Sequence, residues 1–224
     1  MDWFPLYNSL RIAVISSVLV FFSGIFAAYY IAKLHPVVKG VLDVILTLPM
    51  VLPPTVVGYF ILLLLGSKRP FGIWFYNTFG TKLVMNWYSG IFAATIVAFP
   101  LMYRTARGAF ESFDETLSYS GQTLGLSNTY IFWKVRMPAC RQGIMAGTVL
   151  AFARALGEYG ATSMLAGNIL GKTRTVSVAI ASETAAGNYD VAGFWVVVIV
   201  VISFVIVVLI NIVSGRGMKS RRWI

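Results

Sequence analysis

Long stretches without a charged residue constrain this chain more than any other feature of its sequence. A helix that crosses a bilayer needs about 20 consecutive, mainly apolar residues. Five stretches reach that length, the last with only two charges: Ile12–Ile31, Val44–Leu65, Leu83–Tyr103, Val191–Gly215 and Gln142–Gly171. Only 12% of the 224 residues are charged, about half the share in an ordinary soluble domain. The sequence therefore predicts an all-α membrane protein, a single domain over residues 1–224, with about five transmembrane helices.

Residue types that carry chemistry are scarce in this chain. It has one cysteine, Cys140, and one histidine, His35, so it can form no internal disulfide and offers few ligands for a metal centre. Gly171-Lys172-Thr173 lacks the upstream glycine of a phosphate-binding P-loop. We therefore expect no catalytic residues, no metal and no cofactor. Any ATP that drives this protein is expected to be hydrolysed by another subunit.

The distribution of basic residues predicts how the chain lies in the membrane. If the N-terminus is outside, eleven of the 18 Lys and Arg residues fall on the cytoplasmic side, six fall outside and Arg154 falls in the membrane. Cytoplasmic loops are enriched in Lys and Arg, so we expect an outside N-terminus and a cytoplasmic C-terminus. The net charge of +10 is then a topology signal and does not indicate a nucleic-acid partner. The first apolar segment is too long for the core of a signal peptide and is expected to remain as a helix.

The longest cytoplasmic connection, residues 104–141, contains the polar stretch SGQTLGLSNTYIFWKVRMP. Leu117–Gly125 is predicted to form a short helix that ends at glycine, and Ser127 or Asn128 to cap a second helix, Thr129–Val135. Pro138 is expected to end that second helix and to open the next membrane helix.

The second of these helices carries one apolar stripe, made of Ile131, Phe132 and Val135. Two interpretations of this unit remain open. It is either a helical connector packed on its own protein, or a helix presented to a groove on a soluble partner.

The loop and three longer stretches resemble the permease subunits of ABC importers. Nine residues separate Gly125 from Val135-Arg136-Met137-Pro138. This is the spacing of the family's cytoplasmic Glu-Ala-Ala, Gly, Ile-x-Leu-Pro loop, although Tyr119-Ser120-Gly121 replaces Glu-Ala-Ala. Longer stretches closely resemble the permease subunits of molybdate ABC transporters: LPMVLPPTVVGY (Leu48–Tyr59), TVLAFARALGEYGAT (Thr148–Thr162) and GNILGKTRTVSVAI (Gly167–Ile180). On these residues the chain is identified as a member of that family.

The resemblance implies a type I ABC importer permease fold in a multi-pass protein of a prokaryotic cell membrane. It implies a homodimer bound to two ATPase subunits and supplied with molybdate, often with tungstate as well, by an extracytoplasmic binding protein. Transport would occur by alternating access. In the family the cytoplasmic loop docks on the ATPase subunits, so we call residues 104–141 the coupling loop. The residues implied to make that contact are Ser120, Gly121, Thr123, Leu124, Gly125, Ser127, Asn128, Val135 and Pro138.

Two groups of residues are candidates for the transport pathway or its gate. The first group lies in the second predicted helix. It consists of three prolines that interrupt the helix, two threonines with hydroxyl groups and one glycine: Thr47, Pro49, Pro53, Pro54, Thr55 and Gly58. This helix is either a kinked structural element or a wall of the pathway, because broken backbone is tolerated only beside protein or water. Arg154 and Glu158 form either a structural ion pair, with each other or with a neighbouring helix, where Arg11 could compete as partner, or a gate that faces the dimer axis.

Other functions remain open on the residues alone. A permease for tungstate or sulfate would have the same fold. A self-contained secondary transporter would be built from inverted repeats and a membrane enzyme would need a polar catalytic cluster, and neither pattern is evident. A structural scaffold would need neither the proline-broken helix nor the glycine-spaced cytoplasmic loop.

Overall fold

The structure, a computed structural model, describes residues 2–215, which are helical nearly throughout and include no β-strand. In chain order the helices of this part are α1 (Phe4–Ile31), α2 (Pro36–Val51), α3 (Pro54–Leu65), α4 (Pro70–Phe79), α5 (Trp87–Glu111), α6 (Glu115–Thr123), α7 (Asn128–Ile131), α8 (Met137–Leu156), α9 (Gly160–Leu165), α10 (Val176–Ala185) and α11 (Tyr189–Gly215). A π-helical turn, Phe132–Arg136, joins α7 to α8. The prediction of an all-α protein is confirmed.

Three of these helices are long and apolar enough to cross a membrane: α1, α5 and the first 21 residues of α11. α2 and α3 qualify together as a fourth span, bent by 112°. The remaining predicted segment, Gln142–Gly171, is divided between α8 and the six-residue α9. The chain is thus a multi-pass membrane protein, with three or four spans by length and apolarity where about five were expected. The side on which each terminus lies stays a prediction.

The bend between α2 and α3 follows from the prolines. Leu52 and Pro53 have extended backbones, with ψ of 145° and 136°, because a residue that precedes proline is disfavoured in the α region. Pro54 then opens α3, where its missing N–H costs no helical hydrogen bond. Pro49, in contrast, lies inside α2 without ending it. The second predicted helix is therefore interrupted at its paired prolines.

α5 is the centre of the helix bundle and packs against both α1 and α8. Glycines allow these neighbours to come close. A methyl group on Gly24 of α1 would lie 2.7 Å from the side chain of Met102, and one on Gly143 of α8 would lie 2.6 Å from Cβ of Ala109. Small residues of this kind let helix backbones approach each other in membranes. The coupling loop leaves from α5 and returns into α8, so both of its ends are fixed by this core.

Candidate functional site

The coupling loop folds as two short helices with a glycine turn between them. α6 begins after Asp114, whose carboxylate accepts two hydrogen bonds from the second helical residue, and these hold the pKa of that carboxyl below its usual value. Gly125 has a φ of +77°, in the left-handed region that glycine adopts most readily. Ser127 caps α7 by accepting a hydrogen bond from the Tyr130 N–H. Both predicted helices are therefore present, and Ser127 rather than Asn128 is the cap.

The end of the loop differs from the prediction at Pro138. α7 does not stop there; it continues through the π-helical turn into α8, of which Pro138 is the second residue. Within the turn the Met137 N–H donates to the Phe132 carbonyl, five residues back instead of four. The wider turn accommodates a proline ring that would clash with the carbonyl four residues before it in a regular α-helix. Asn128 and Leu156 consequently lie at the two ends of one continuous helical segment.

An ion pair that sequence reasoning missed joins the beginning of the loop to its end. The Arg136 guanidinium contacts both carboxylate oxygens of Glu115, at 2.5 and 2.7 Å, and donates to the Ser118 hydroxyl at 3.2 Å. It also lies over the Phe113 ring, 4.7 Å from the centroid. The sequence offered one signal for this pair. Tyr119 occupies the position where the family has glutamate, and Glu115 lies one helical turn before it. The coupling loop thus contains a glutamate that forms an ion pair within the loop itself.

The predicted apolar stripe of the loop faces the protein itself. Ile131 is buried, and Phe132 and Val135 pack against the core around α5. Gly121 lies opposite Ile131: a methyl group on this glycine would be 3.1 Å from the isoleucine side chain. The stripe therefore anchors the loop as a connector, and a partner would have to contact the other face.

That other face carries most of the predicted contact residues. Leu124 is 78% exposed and Tyr119 is 62% exposed, although both are large hydrophobic side chains. Asn128 also lies here and accepts a hydrogen bond from the Gln122 amide, which joins α7 to α6. The predicted contact residues that are exposed are Ser120, Thr123, Leu124, Gly125, Ser127, Asn128 and Pro138. Gly121 and Val135 lie on the inner side.

Charged side chains tie α2 to the end of α5, where the coupling loop begins. Arg107 of α5 forms ion pairs with Asp43 of α2 and, at 3.0 Å, with Glu111 of α5. Lys39 of α2 pairs with the same Glu111, and the Tyr103 hydroxyl donates to Asp43. α2 has no buried residue, so these contacts join a helix with little packing of its own to the bundle.

A cavity of about 420 Å³ lies between α2 and α5, lined in part by Thr47, Asp43 and Arg104. The Thr47 hydroxyl donates to the Asp43 backbone carbonyl at 2.6 Å. Thr47 thus lies one helical turn after Asp43, in the same cavity as the charged side chains, and about one turn before the bend at Leu52.

Three other pathway candidates meet α9 where α3 begins. A methyl group on Gly58 would lie 2.7 Å from Cα of Ala161. One on Gly160 would lie 2.9 Å from Cβ of Pro54 and 3.0 Å from the backbone nitrogen of Thr55. α3 and α9 therefore pack backbone against backbone, with glycines at the closest points.

Arg154 and Glu158 pair with each other. A guanidinium nitrogen lies 2.7 Å from Oε2 of Glu158, although no hydrogen-bond donor of the described residues is aligned with that oxygen. Oε1 accepts a hydrogen bond from the Ala161 N–H at 2.8 Å, so the same carboxylate caps α9. Glu158 is buried, whereas the Arg154 side chain is partly exposed. Arg11 is not the partner of Glu158, because it bonds to the Asn8 side chain.

A second polar cluster, also missed from the sequence, lies at the opposite end of α1 from the coupling loop. Asn8 is fully buried, and its amide donates to the carbonyl oxygens of Thr173 and Arg174. Arg174 pairs with Glu183 of α10 at 3.0 Å. Hydrogen bonds from Asn188 and Arg174 hold the pKa of the Glu183 carboxyl below its usual value. These contacts fix the connection before α10 to α1.

Comparison with known proteins gives relatives along most of the chain. Residues 21–215 match the family described as binding-protein-dependent transport system inner membrane component. The chain is 40% identical over 182 residues to the molybdenum transport system permease protein ModB of Escherichia coli (strain K12), covering 80% of this chain and 78% of that protein. It is 30% identical over 193 residues to the sulfate transport system permease protein CysW of Synechocystis sp., covering 86% and 70%.

Solved structures share the fold at lower identity. A chain of a bacterial ABC transporter involved in the import of the acidic polysaccharide alginate superposes with a TM-score of 0.76 and 17% identity, covering 95% of this chain and 78% of that chain. A chain of the MetNI methionine ABC transporter, in an inward-facing conformation, gives 0.70 and 15%, covering 96% and 94%. These likenesses confirm the predicted type I ABC importer permease fold. Together with the family match, they show that the chain belongs to the family of binding-protein-dependent transport system inner membrane components.

Proposed function

We propose that this chain is the membrane-spanning subunit of an ATP-driven importer for molybdate, with tungstate as a second substrate. The observation that carries the proposal is the 40% identity to a molybdenum permease over 80% of the chain. Two copies would enclose the pathway, and two ATPase subunits would bind the coupling loops. An extracytoplasmic binding protein would deliver the anion. With the N-terminus outside, the coupling loop lies in the cytoplasm, where ATP is available.

The coupling loop supports a docking role through its fixed shape and its exposed face. The glycine turn, the Ser127 cap and the ion pair between Arg136 and Glu115 define one conformation. Exposed apolar side chains such as Leu124 are the kind that anchor a partner. Because α7 continues into α8 without a break, displacement of the loop by an ATPase subunit would move α8 as well.

We place the gate at the start of α9. Two breaks in the membrane helices meet there, one between α2 and α3 and one between α8 and α9. Broken backbone at membrane depth is stable only where protein or a water-filled space satisfies it. Arg154 offers a positive charge that its pairing with Glu158 partly neutralises. A dianion would therefore be attracted weakly and released, as passage requires.

Reconstitution in vesicles with the ATPase subunits and the binding protein tests the transported substrate. We expect ATP-dependent uptake of molybdate and tungstate to exceed that of sulfate. A preference for sulfate would favour a second candidate, a sulfate permease, for which the 30% identity to a sulfate transport permease is the observation. Uptake that proceeds without the ATPase subunits would contradict both candidates and indicate a secondary transporter.

Replacement of Gly125 tests the coupling role of the loop. Gly125→Val forces a branched side chain into a positive φ, whereas Gly125→Asn introduces a residue that tolerates this conformation. No atom lies within 4 Å of the site where a side chain would begin, so the strain is confined to the backbone. We expect the valine variant to insert and dimerise but to hydrolyse ATP without matching uptake, and the asparagine variant to resemble the wild type. Normal ATP-dependent uptake by the valine variant would refute the coupling role.

A further inference from the structure

An apolar groove of about 600 Å³ runs along the surface of the bundle between α1 and the π-helical turn. Tyr29 of α1 and Phe132 of the turn form its base, with ring centroids 4.6 Å apart. Its sides carry Phe22, Phe26 and Trp133, which are 63%, 64% and 56% exposed. So much exposed aromatic surface in one groove, on a membrane protein, indicates contact with lipid or with another protein.

One end of this groove is polar and positively charged. A second cavity, of about 320 Å³, shares Tyr29, Lys33, Asn128 and Phe132 with it. The Lys33 ammonium donates to the Tyr29 hydroxyl at 2.6 Å and lies 3.8 Å from the centre of that ring. In the described part of the chain no carboxylate lies within ion-pairing distance of Lys33. The acid that lines this second cavity, Glu115, pairs with Arg136.

The geometry points to a binding site for an anionic phospholipid, with the phosphate at Lys33 and an acyl chain along Phe22, Phe26 and Trp133. Charge complementarity selects this occupant, because the groove joins a long apolar surface to a cation that no carboxylate among residues 2–215 neutralises. Tyrosine and tryptophan settle at headgroup depth in membranes, which places Tyr29 and Trp133 at the level of a lipid phosphate. A second copy of the chain would bury the aromatic surface but leave the charge of Lys33 unmatched.

The site has a consequence for the coupling loop. One wall belongs to α1 and the other to the turn that joins the loop to α8. A lipid bound there contacts both elements at once, so the content of anionic lipid in that leaflet would influence how freely the loop moves. The inference depends on the membrane location of the chain and not on the identity of the transported anion.

Brominated acyl chains quench tryptophan fluorescence on contact, and Trp133 provides a reporter inside the groove. The full-length protein is placed in phosphatidylcholine nanodiscs that contain increasing fractions of brominated phosphatidylglycerol or, separately, brominated phosphatidylcholine. Trp133→Phe identifies the part of the quenching that comes from the groove. We expect that part to report about a fivefold preference for phosphatidylglycerol, since one lysine near an anionic surface contributes about 1 kcal/mol.

Variants of Lys33 separate a specific site from general attraction to the membrane. Lys33→Gln should abolish the preference and Lys33→Arg should keep it. The matched control Lys68→Gln, which removes an exposed lysine from the connection between α3 and α4, should leave it unchanged. Equal quenching by the two lipids, or a preference that survives in Lys33→Gln, would overturn the site. Absence of any Trp133-dependent quenching would also overturn it, because the groove would then be covered by protein.

Discussion

Replacement of Arg136 by methionine should loosen the coupling loop while the helix bundle stays intact. Arg136 contacts Glu115 at the start of α6 and Ser118 one turn later, so it joins both ends of the loop. Methionine keeps much of the apolar stem of arginine but removes the charge and every hydrogen bond. The core around α5 does not depend on this contact, so the expected effect is local opening rather than unfolding of the protein.

The magnitude follows from the exposure of the two partners. The Arg136 side chain is only 11% exposed, whereas that of Glu115 is 48% exposed. Hydrogen bonds to charged groups contribute about 1.5–3 kcal/mol when shielded, and fully exposed ion pairs contribute about 0.2–1 kcal/mol. An intermediate coupling energy of about 1–2 kcal/mol between the two residues is therefore expected. Arg136 also loses its contact with the Phe113 ring, worth about 0.5–1 kcal/mol, so its replacement should cost more than Glu115→Gln.

Limited proteolysis measures this local opening. Trypsin cleavage after Lys134 requires the loop to open, and the cleavage rate follows the population of the open form when opening is fast. The rate is compared for wild type, Glu115→Gln, Arg136→Met and the double variant. The effects of the two single changes on the cleavage rate should overlap, because both break the same ion pair. The double variant should therefore be cleaved about 5 to 30 times more slowly than additive effects of the two changes on the free energy of opening would predict.

The matched control removes an ion pair elsewhere in the same region. Lys39→Gln breaks the contact between α2 and Glu111 and should leave the cleavage rate after Lys134 unchanged. Strictly additive effects of the two loop substitutions would show that Arg136 and Glu115 do not act together. Faster cleavage in the control would show that trypsin reports on the whole bundle instead of the loop.

Three further predictions follow from contacts in the bundle and in the polar cluster around α10. Gly58→Ala should cost about 1–3 kcal/mol and lower the thermal unfolding temperature in detergent, because its methyl group meets the backbone of α9; Gly108→Ala, which has open space around it, should not. Glu158→Gln should lower that temperature less than Glu158→Ala, because glutamine can still accept the hydrogen bond that caps α9, although it loses the ion pair with Arg154. The pKa of Glu183 is lowered in the folded protein, so its stabilising contribution is present above the ordinary carboxyl pKa and is lost as the pH falls through the lowered pKa. Glu183→Gln should therefore be less stable than wild type at neutral pH, and the two should converge in acid; a constant difference would contradict this assignment.

Local signals in the sequence were enough to predict much of this fold. The apolar segments predict membrane helices because bilayer thickness fixes their length. Pro53 and Pro54 mark the bend because their effect on the preceding residue is steric and local. The glycine turn at Gly125 and the cap at Ser127 depend only on neighbouring backbone groups.

Contacts between distant parts of the chain left no comparable signal. The pairing of Arg136 with Glu115 spans 21 residues, and that of the Asn8 amide with the Thr173 carbonyl spans 165. Neither separation follows a helical period, so only the folded bundle brings these groups together.

Pro138 shows how one residue determines what the coupling loop can transmit. A proline in a regular helix would end or kink it, and α6–α7 would then be hinged against the bundle. The π-helical turn instead keeps the Met137 N–H bonded to the Phe132 carbonyl, so 29 residues from Asn128 to Leu156 form one segment. At about 1.5 Å per residue this segment is roughly 40 Å long, and Glu158 with its cap on α9 lies just beyond its far end. Under the proposed function, an ATPase subunit that moves α7 would therefore move the gate at α9 through a single continuous helical segment. This segment alone is enough to transmit the movement of the coupling loop to the pathway.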